Sequence, residues 1–458
     1  MQNLVRILVI LQFFIISCSC SKNNDVLEED DVVTVPPMSD EEILNLAQKD
    51  AFKYFWNYAE ANSKLARERY HVEESHVDAN LVTTGGSGFG LMTILVGIER
   101  GFITREEAVG RLETALTFLE NADRFHGAWS HWINGANGQT VPFGTVDNGG
   151  DIVETSFLCQ GLICIREYFK NGTEAEQNLA RQADELWKGV EWDWYTKGEN
   201  AMYWHWSPDY EWQLNFKLEG YNECLITYIM GAASPTHPIP SEAYHEAWAR
   251  NGNIVTAAAS YGIPKIFNYN GSPIIGPMFW AHYSYLGLDP RGLTDQYANY
   301  WELTQNHAKI MHAYCVANPG NWNGYGEDCW GLTASYTRNT NGSVGYTEHK
   351  PGNDRGVITP TAALSSFPYT PAESMKALRY FYENPEWKDR LIGVAGPYDA
   401  FSPHHNWYTK RYLAIDQGTI VPMIENYRTG FLWNLFMQAP EVRTGLRNLG
   451  FSSSQHGF

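Results

Sequence analysis

An all-α fold is what this sequence predicts, with an inner ring of buried helices inside an outer ring of amphipathic ones, an α/α toroid. Three observations carry it. Several runs are apolar on almost every side, and they begin directly after a loop rich in glycine, aromatic or acidic residues. Helices apolar all round are buried ones. Between them lie runs with one apolar stripe, several opened by a capping box. No run alternates long enough to read as a convincing strand.

Taken in order, Ser39-Asp40-Glu41-Glu42 is a capping box that opens a helix through about Ala61, striped by Ile43, Leu46, Ala47, Ala51, Tyr54 and Phe55. A glycine-rich loop from Thr83 to Gly90 leads into an apolar helix over Leu91 to Ile98. Thr104-Arg105-Glu106-Glu107 caps an amphipathic helix to about Asn121. A loop bearing Phe125, His126, Trp129, His131 and Trp132 follows. The stretch from Val146 to Glu154 then opens the most apolar helix, through Phe169. Thr173 to Val190 is amphipathic. Trp192, Trp194, Tyr203, Trp204, His205, Trp206 and Trp212 crowd a long loop. Gly220-Tyr221-Asn222-Glu223 enters the apolar run Cys224 to Met230. Ser241 to Arg250 reads as a short helix, and Gly276 to Tyr283 as an aromatic approach to an apolar segment. Thr294 to Ala317 reads as a long outer helix. Trp322, Tyr325, Glu327, Asp328 and Trp330 mark a loop. Gly356 to Phe367 is a small-residue helix, and Thr370-Pro371-Ala372-Glu373 caps the next. Ala414 to Val421 puts an acid, Asp416, before a last apolar run that continues to Phe436.

The N-terminus has a different character. Arg6 precedes an apolar run, Ile7 to Ile16, too short to span a membrane, so residues 1–20 read as a signal peptide. Its end, Ile15-Ile16-Ser17-Cys18-Ser19-Cys20, resembles a bacterial lipoprotein cleavage site, with Cys18 or Cys20 as the lipidated residue. Residues 21–38 form an acidic tether, and residues 39–458 a single domain. The chain is expected to be exported and lipid-anchored, at the periplasmic or outer-membrane face, and monomeric. Five cysteines remain, Cys159, Cys164, Cys224, Cys315 and Cys329. The first three lie in apolar runs as small hydrophobes. A Cys315–Cys329 disulfide is compatible with an exported chain.

With 33 basic and 52 acidic residues the net charge is −19, which disfavours nucleic acid and polyanionic sugars as partners. Aromatic residues make up 14% of the chain, including 17 Trp and 27 Tyr. Beyond what a core needs, such rings suit the flat C–H faces of neutral sugars.

The chemistry-bearing residues are acids at the entrances of apolar helices: Asp147, Asp151, Glu154, Glu223 and Asp416. In a toroid those entrances converge. Helix N-termini favour carboxylates as anions, whereas apolar walls and like charges raise their pKa. Such mixed settings let one carboxyl stay protonated while another ionises, as glycoside hydrolysis requires. Asp151 and Glu154 lie three residues apart on one helix, on the same side of any substrate. An acid and base from different helices, Glu223 and Asp416, suit a two-carboxylate mechanism better. Asp147, Asp151 and Glu154 would then bind sugar hydroxyls or tune a pKa. Trp204, Trp206, Tyr221, Trp280, His282, Trp330 and Gln417 are the candidate substrate-binding residues. Gly86-Ser87-Gly88 lacks the setting of a hydrolase nucleophile elbow. His404-His405 lacks a third metal ligand, and Asp147 to Asp151 lacks the alternation of a calcium loop.

Asp147-Asn148-Gly149-Gly150-Asp151-Ile152-Val153-Glu154-Thr155, Gly220-Tyr221-Asn222-Glu223, Ala414-Ile415-Asp416-Gln417-Gly418 and Ile424-Glu425-Asn426-Tyr427-Arg428-Thr429-Gly430 resemble motifs of the bacterial glucoamylase-like proteins of glycoside hydrolase family 144, which contains β-1,2-glucanases. The resemblance runs from about residue 40 to residue 450. Thr419 departs from it, standing where Pro is expected after Asp-Gln-Gly. It implies an (α/α)6 barrel with a pocket at one end, built from long loops. It also implies an inverting mechanism, no metal or other cofactor, and β-1,2-glucan or its oligosaccharides as substrate. By the resemblance Glu223 is the general acid and Asp416 the base, with Asp147, Asp151 and Glu154 also lining the pocket. Two other functions fit the sequence: an α-glucan glucoamylase, and a non-catalytic glycan-binding lipoprotein. A polysaccharide lyase would want basic residues, which the motif loops lack.

Overall fold

The computed structural model describes residues 38–458. The expected signal peptide and tether, apart from Met38, lie outside the described residues. Helices dominate. Three of them start with a full capping box: Asp40–Asn57 on Ser39 and Glu42, Arg105–Asn121 on Thr104 and Glu107, and Glu174–Lys188 on Thr173 and Glu176. In each the hydroxyl accepts the N–H three residues on, and the acid accepts the N–H of the capping residue. All three expose acids and bury a single stripe, so they belong on the outside.

The apolar helices lie within. Thr84–Glu99, Ile152–Phe169, Leu225–Ala233 and Ala414–Arg428 are buried over nearly their whole length. They touch in sequence around the interior: Ala414–Arg428 against Thr84–Glu99, that helix against Ile152–Phe169, and that one against Leu225–Ala233. Asp40–Asn57 backs Ala414–Arg428 and Thr84–Glu99, while Glu174–Lys188 backs Ile152–Phe169. Residues 39–458 form one compact unit.

Several elements differ from the sequence expectation. The glycines from Gly85 to Gly90 are not a loop but the first turns of the Thr84–Glu99 helix. They are there for closeness. A methyl on Gly88 would meet the Phe157 carbonyl oxygen and lie 2.5 Å from Leu158 Cα, and one on Gly161 would lie 2.5 Å from the Gly88 carbonyl oxygen. Two inner helices thus approach backbone to backbone. The outer helix expected from Thr294 begins at Tyr300, because Leu293–Thr294 pairs with Ser452–Ser453. The segment from Gly276 to Tyr283 makes only tight 3₁₀ turns, Met278–Ala281 and Tyr283–Tyr285. The region Gly356 to Phe367 is helical only over Pro360–Leu364, and Thr370 makes no side-chain cap.

The absence of strands is also corrected: short antiparallel pairs decorate the loops. The longest are the hairpins Val255–Ser260 with Ile263–Phe267 and Ala334–Arg338 with Val344–Glu348. Val255–Ser260 has no buried residue, so it gives no apolar alternation to read. Pairs of two or three residues carry no period at all. The five cysteines of the domain are free and buried, so Cys315 and Cys329 are separate thiols.

Candidate active site

The site grows from the N-terminus of the Ile152–Phe169 helix. Asp151 is its cap. Oδ1 accepts the N–H groups of Val153 at 3.0 Å and Glu154 at 2.9 Å. Oδ2 accepts His131 Nδ1 at 2.8 Å and Trp204 Nε1 at 3.0 Å. Gly150–Asp151 pairs with His205–Trp206, which sets His205 opposite Asp151. His205 Nε2 then lies 3.0 Å from Asp147 Oδ2 and 3.5 Å from Asp151 Oδ2. Burial alone would discharge both imidazoles, but the surrounding carboxylates outweigh it and hold His131 and His205 at about 9. Burial also opposes the Asp151 charge. Hydrogen bonds from His131 and His205 and their positive charges win, keeping Asp151 well below the ordinary carboxylate range. Asp151 is therefore an anion through neutral pH, and it organises the site rather than donating a proton.

Glu154, one turn on, is in the opposite state. Its Oε2 accepts Gly85 N–H at 2.7 Å and Thr83 Oγ1 at 3.5 Å. A methyl on Gly85 would lie 2.6 Å from that same oxygen, so only glycine admits the carboxyl there. Burial pushes Glu154 up to about 7 against the pull of His131, with the charge of Asp151 adding to the rise. Glu223 enters from another direction, in the turn before Leu225–Ala233. Asn222 Oδ1 accepts the Cys224 N–H at 2.9 Å and shapes that turn. Burial raises Glu223 to about 7 as well.

Glu154 and Glu223 share a cavity of about 380 Å³. Glu68 is its third carboxyl, paired with Arg69 and raised by burial. The rest of the wall is mostly aromatic: Trp132, Phe143, Phe157, Trp204, Phe279, Tyr283, Tyr336 and Tyr346. Acids set among rings are what a neutral sugar needs, since carboxyls reach hydroxyls while rings cover C–H faces. A larger hollow of about 540 Å³ lies between Trp194 and Trp212. It is a shallower groove, and its two acids are already engaged: Glu191 with His126 at 3.0 Å and Asp193 with His237 at 3.2 Å.

Asp416 sits directly behind the wall. Leu413 and Ile415 line the cavity, whereas Asp416 is buried with its Oδ2 unpartnered. It meets the carboxyl of Asp399, which accepts the Leu413 N–H and, at 2.9 Å, Gln417 Nε2. Burial raises Asp416 to about 8; burial and then the charge of Asp416 raise Asp399 as well. The pair holds on to a proton through neutral pH.

Of the seven residues expected to bind substrate, Trp204 alone reaches the cavity wall. Trp206 faces the other way, edge-on to His126 at 5.0 Å. The remaining five find protein partners within the core. The Tyr221 hydroxyl bonds His307 Nδ1 at 3.0 Å, and Trp280 packs edge-on against the Tyr221 ring at 5.8 Å. His282 bonds Ser366 at 3.0 Å, and Trp330 donates to the Glu373 carbonyl at 3.2 Å. Gln417 is spent on Asp399 and Pro397. Asp147 touches His205 and lies off the wall. Glu68, Asp399 and Tyr346 went unread. Glu68 reaches the site because Arg69–His71 pairs with Arg411–Leu413, a long-range contact with no local motif.

Known proteins place this geometry in a family. Residues 215–440 match the Glycoamylase family model, a glucoamylase description. An exo-β-1,2-glucooligosaccharide sophorohydrolase (non-reducing end) from Parabacteroides distasonis is 45% identical over 438 residues, which are 91% of this chain. The chain spans 59% of the length of that curated relative. The endo-β-1,2-glucanase from Chitinophaga pinensis, solved with sophorotriose and glucose, is 54% identical with a TM-score of 0.88, over 91% of this chain and 99% of that one. The β-1,2-glucanase structure from Parabacteroides distasonis is 44% identical with a TM-score of 0.84, over 90% of this chain and 60% of that one. The likeness that the four sequence motifs carried is thus a true kinship: the chain belongs to the glucoamylase-like proteins of glycoside hydrolase family 144.

Proposed function

We propose that this protein hydrolyses β-1,2-linked glucan or its oligosaccharides. One observation supports this above the others: two carboxyls from different elements, Glu154 and Glu223, face one ring-lined cavity and are both raised to about 7. A carboxyl that keeps its proton near neutrality can protonate a leaving glycosidic oxygen. Relatives acting on β-1,2-glucan supply the linkage.

In this reading Glu223 is the general acid. It gives its proton to the bridging oxygen as the bond to the anomeric carbon breaks. Water attacks that carbon from the opposite face, and Asp416, in its ionised form, takes the water's proton, inverting the configuration. The support for Asp416 is the motif it stands in and its place directly behind two wall residues; its own carboxyl meets Asp399 and Ser335 and does not line the cavity. Glu154 hydrogen-bonds sugar hydroxyls, while Asp151, Asp147, His131 and His205 hold that end of the cavity rigid. The helix order supports an (α/α)6 barrel with the cavity at the loop end. The leader supports export with a lipid anchor, and we take the working form to be a monomer.

A panel of neutral glucans tests the reading. Wild-type protein should release short β-1,2-gluco-oligosaccharides or sophorose from β-1,2-glucan and leave starch intact. Glu223→Gln and Asp416→Asn should each lower kcat by a factor of about 10² to 10⁴, the usual worth of a general acid or base, with oligosaccharide binding retained. Turnover of starch alone would point to an α-glucan enzyme. Full activity in both variants would remove the two-carboxylate mechanism.

A further inference from the structure

Tyr346 is the most exposed of the large apolar side chains among the described residues, at 56%, and Phe143 follows at 52%. Both nonetheless line the catalytic cavity. Leaving a ring this open is unfavourable, since buried apolar surface is worth roughly 25 cal/mol per Å². Two such rings, one on a turn and one on a hairpin, left open along one cavity suggest that something apolar covers them in use.

Each ring is held in place by its own frame. Phe143 closes a tight turn, its N–H bonding the Asp147 carbonyl at 2.9 Å while the Asp147 N–H bonds Gly144 O at 3.1 Å. Its ring leans on His131 at 4.2 Å and on Trp132 at 4.8 Å. Asp147 is in turn fixed by His205. Tyr346 stands on the hairpin Ala334–Arg338 with Val344–Glu348, directly opposite Tyr336. Tyr336 is buried and its hydroxyl bonds His71 Nε2 at 3.1 Å. Tyr346, by contrast, has neither a hydrogen-bond partner for its hydroxyl nor an aromatic partner for its ring among the described residues. Its partner across the strand is built into the wall, and Tyr346 itself lines the cavity with more than half its surface open.

The cavity lies near the lower end of the roughly 300–1,000 Å³ usual for ligand pockets. It therefore takes only a short piece of a glucan, and a longer chain must leave past the rim. We propose that Phe143 and Tyr346 form an aromatic rim on which the glucosyl units just outside the cavity stack, so that these two residues set the preference for long chains over short ones. This rests on the proposed β-1,2-glucanase reading and adds to it the residues that discriminate chain length.

The test compares kcat and KM of wild type, Phe143→Ala, Tyr346→Ala and Tyr346→Phe. The substrates are polymeric β-1,2-glucan and the shortest β-1,2-gluco-oligosaccharide that wild type cleaves. Each alanine should raise KM for the polymer about three- to tenfold, the worth of one aromatic contact. Because both rings also line the cavity, the short substrate should lose affinity too, but by a smaller factor than the polymer, and Tyr346→Phe should keep the wild-type ratio between the two substrates. Tyr261→Asn, a comparably exposed ring on the other long hairpin, is the control and should change nothing. Equal losses on long and short substrates, or no loss on either, overturn the rim while the hydrolase reading stands. A wild type inactive on every β-1,2-glucan overturns the reading and the rim together.

Discussion

His131 and His205 do more than orient Asp151; they tie the stability of the molecule to pH. Their folded pKa, about 9, exceeds the ordinary imidazole value of about 6.5. The folded state binds those protons more tightly, so the stability they contribute is complete below about pH 6 and is lost as pH rises through 9. Glu154 and Glu223, raised to about 7, and Asp416, raised to about 8, act in the same direction. Their burial begins to cost stability above the ordinary carboxylate range of about 4, and the cost is complete by about pH 8. Asp151, depressed, works the other way: its contribution is present above about pH 4 and is lost in acid. The thermal midpoint should therefore peak at about pH 5 and fall steadily toward pH 9. His205→Asn should flatten the upper part of that decline. Melting curves whose midpoint is level or rising over this range would contradict the charge arrangement. Sequence spacing picked out Asp151 and Glu154 together, because both sit in one short motif. It could not separate their states, since His131 and His205 arrive from other loops and only the fold decides which carboxyl they neutralise.

At the level of elements, the interior depends on glycine contacts between helices. Gly88 and Gly161 let Thr84–Glu99 and Ile152–Phe169 touch through backbone, and Gly85 lets Glu154 accept a backbone N–H. The two kinds of contact should respond differently to a methyl. Gly88→Ala drives Cβ into backbone atoms that cannot swing aside, and should lower stability by about 3 kcal/mol or more, beyond ordinary overpacking. Gly85→Ala meets the end of a side chain, so the protein should still fold, with Glu154 displaced and kcat/KM reduced at least tenfold. Chemical denaturation and kinetics on the two variants would read this out, and the reverse order would show that the helix contact is not the tighter one. The caps at Ser39 and Thr104 were legible because a capping box is a local pattern, whereas the one at Thr173 went unread and Thr370, read as a cap, makes none. The glycine run was misread as a loop because its reason for being glycine lies on another helix. The hairpin carrying Tyr346 went unseen for a related cause: its strands have little apolar alternation, and their cross-strand partners become evident only when paired.

Across the whole molecule, the alternation of buried and amphipathic helices was largely readable from periodicity, since each buried helix packed between outer ones poses the same physical problem, while the segments Gly276 to Tyr283 and Gly356 to Phe367 were not. The cavity wall was not. Aromatic content suggested sugar-binding rings, yet most of the named ones, Tyr221, Trp280, His282 and Trp330 among them, stabilise the core. Apart from Phe157, on the Ile152–Phe169 helix, the rings that face the cavity come instead from strands and tight turns brought together over long sequence distances. Arg69–His71 against Arg411–Leu413 is the clearest case, joining Glu68 to the approach to Asp416.

The five sealed thiols give this interior a built-in reporter. Cys159, Cys164, Cys224, Cys315 and Cys329 are unoxidised and buried, spread from the inner helices to the far loops. Among the described residues a disulfide-exchange reagent finds no open sulfur until the local structure lifts, and any reaction at Cys18 or Cys20 is counted apart. The colour should develop at the pace of local opening, and position-by-position mass spectrometry would show which part of the interior opens first. Bound glucan should slow the modification of Cys224, the neighbour of Glu223, more than that of Cys329.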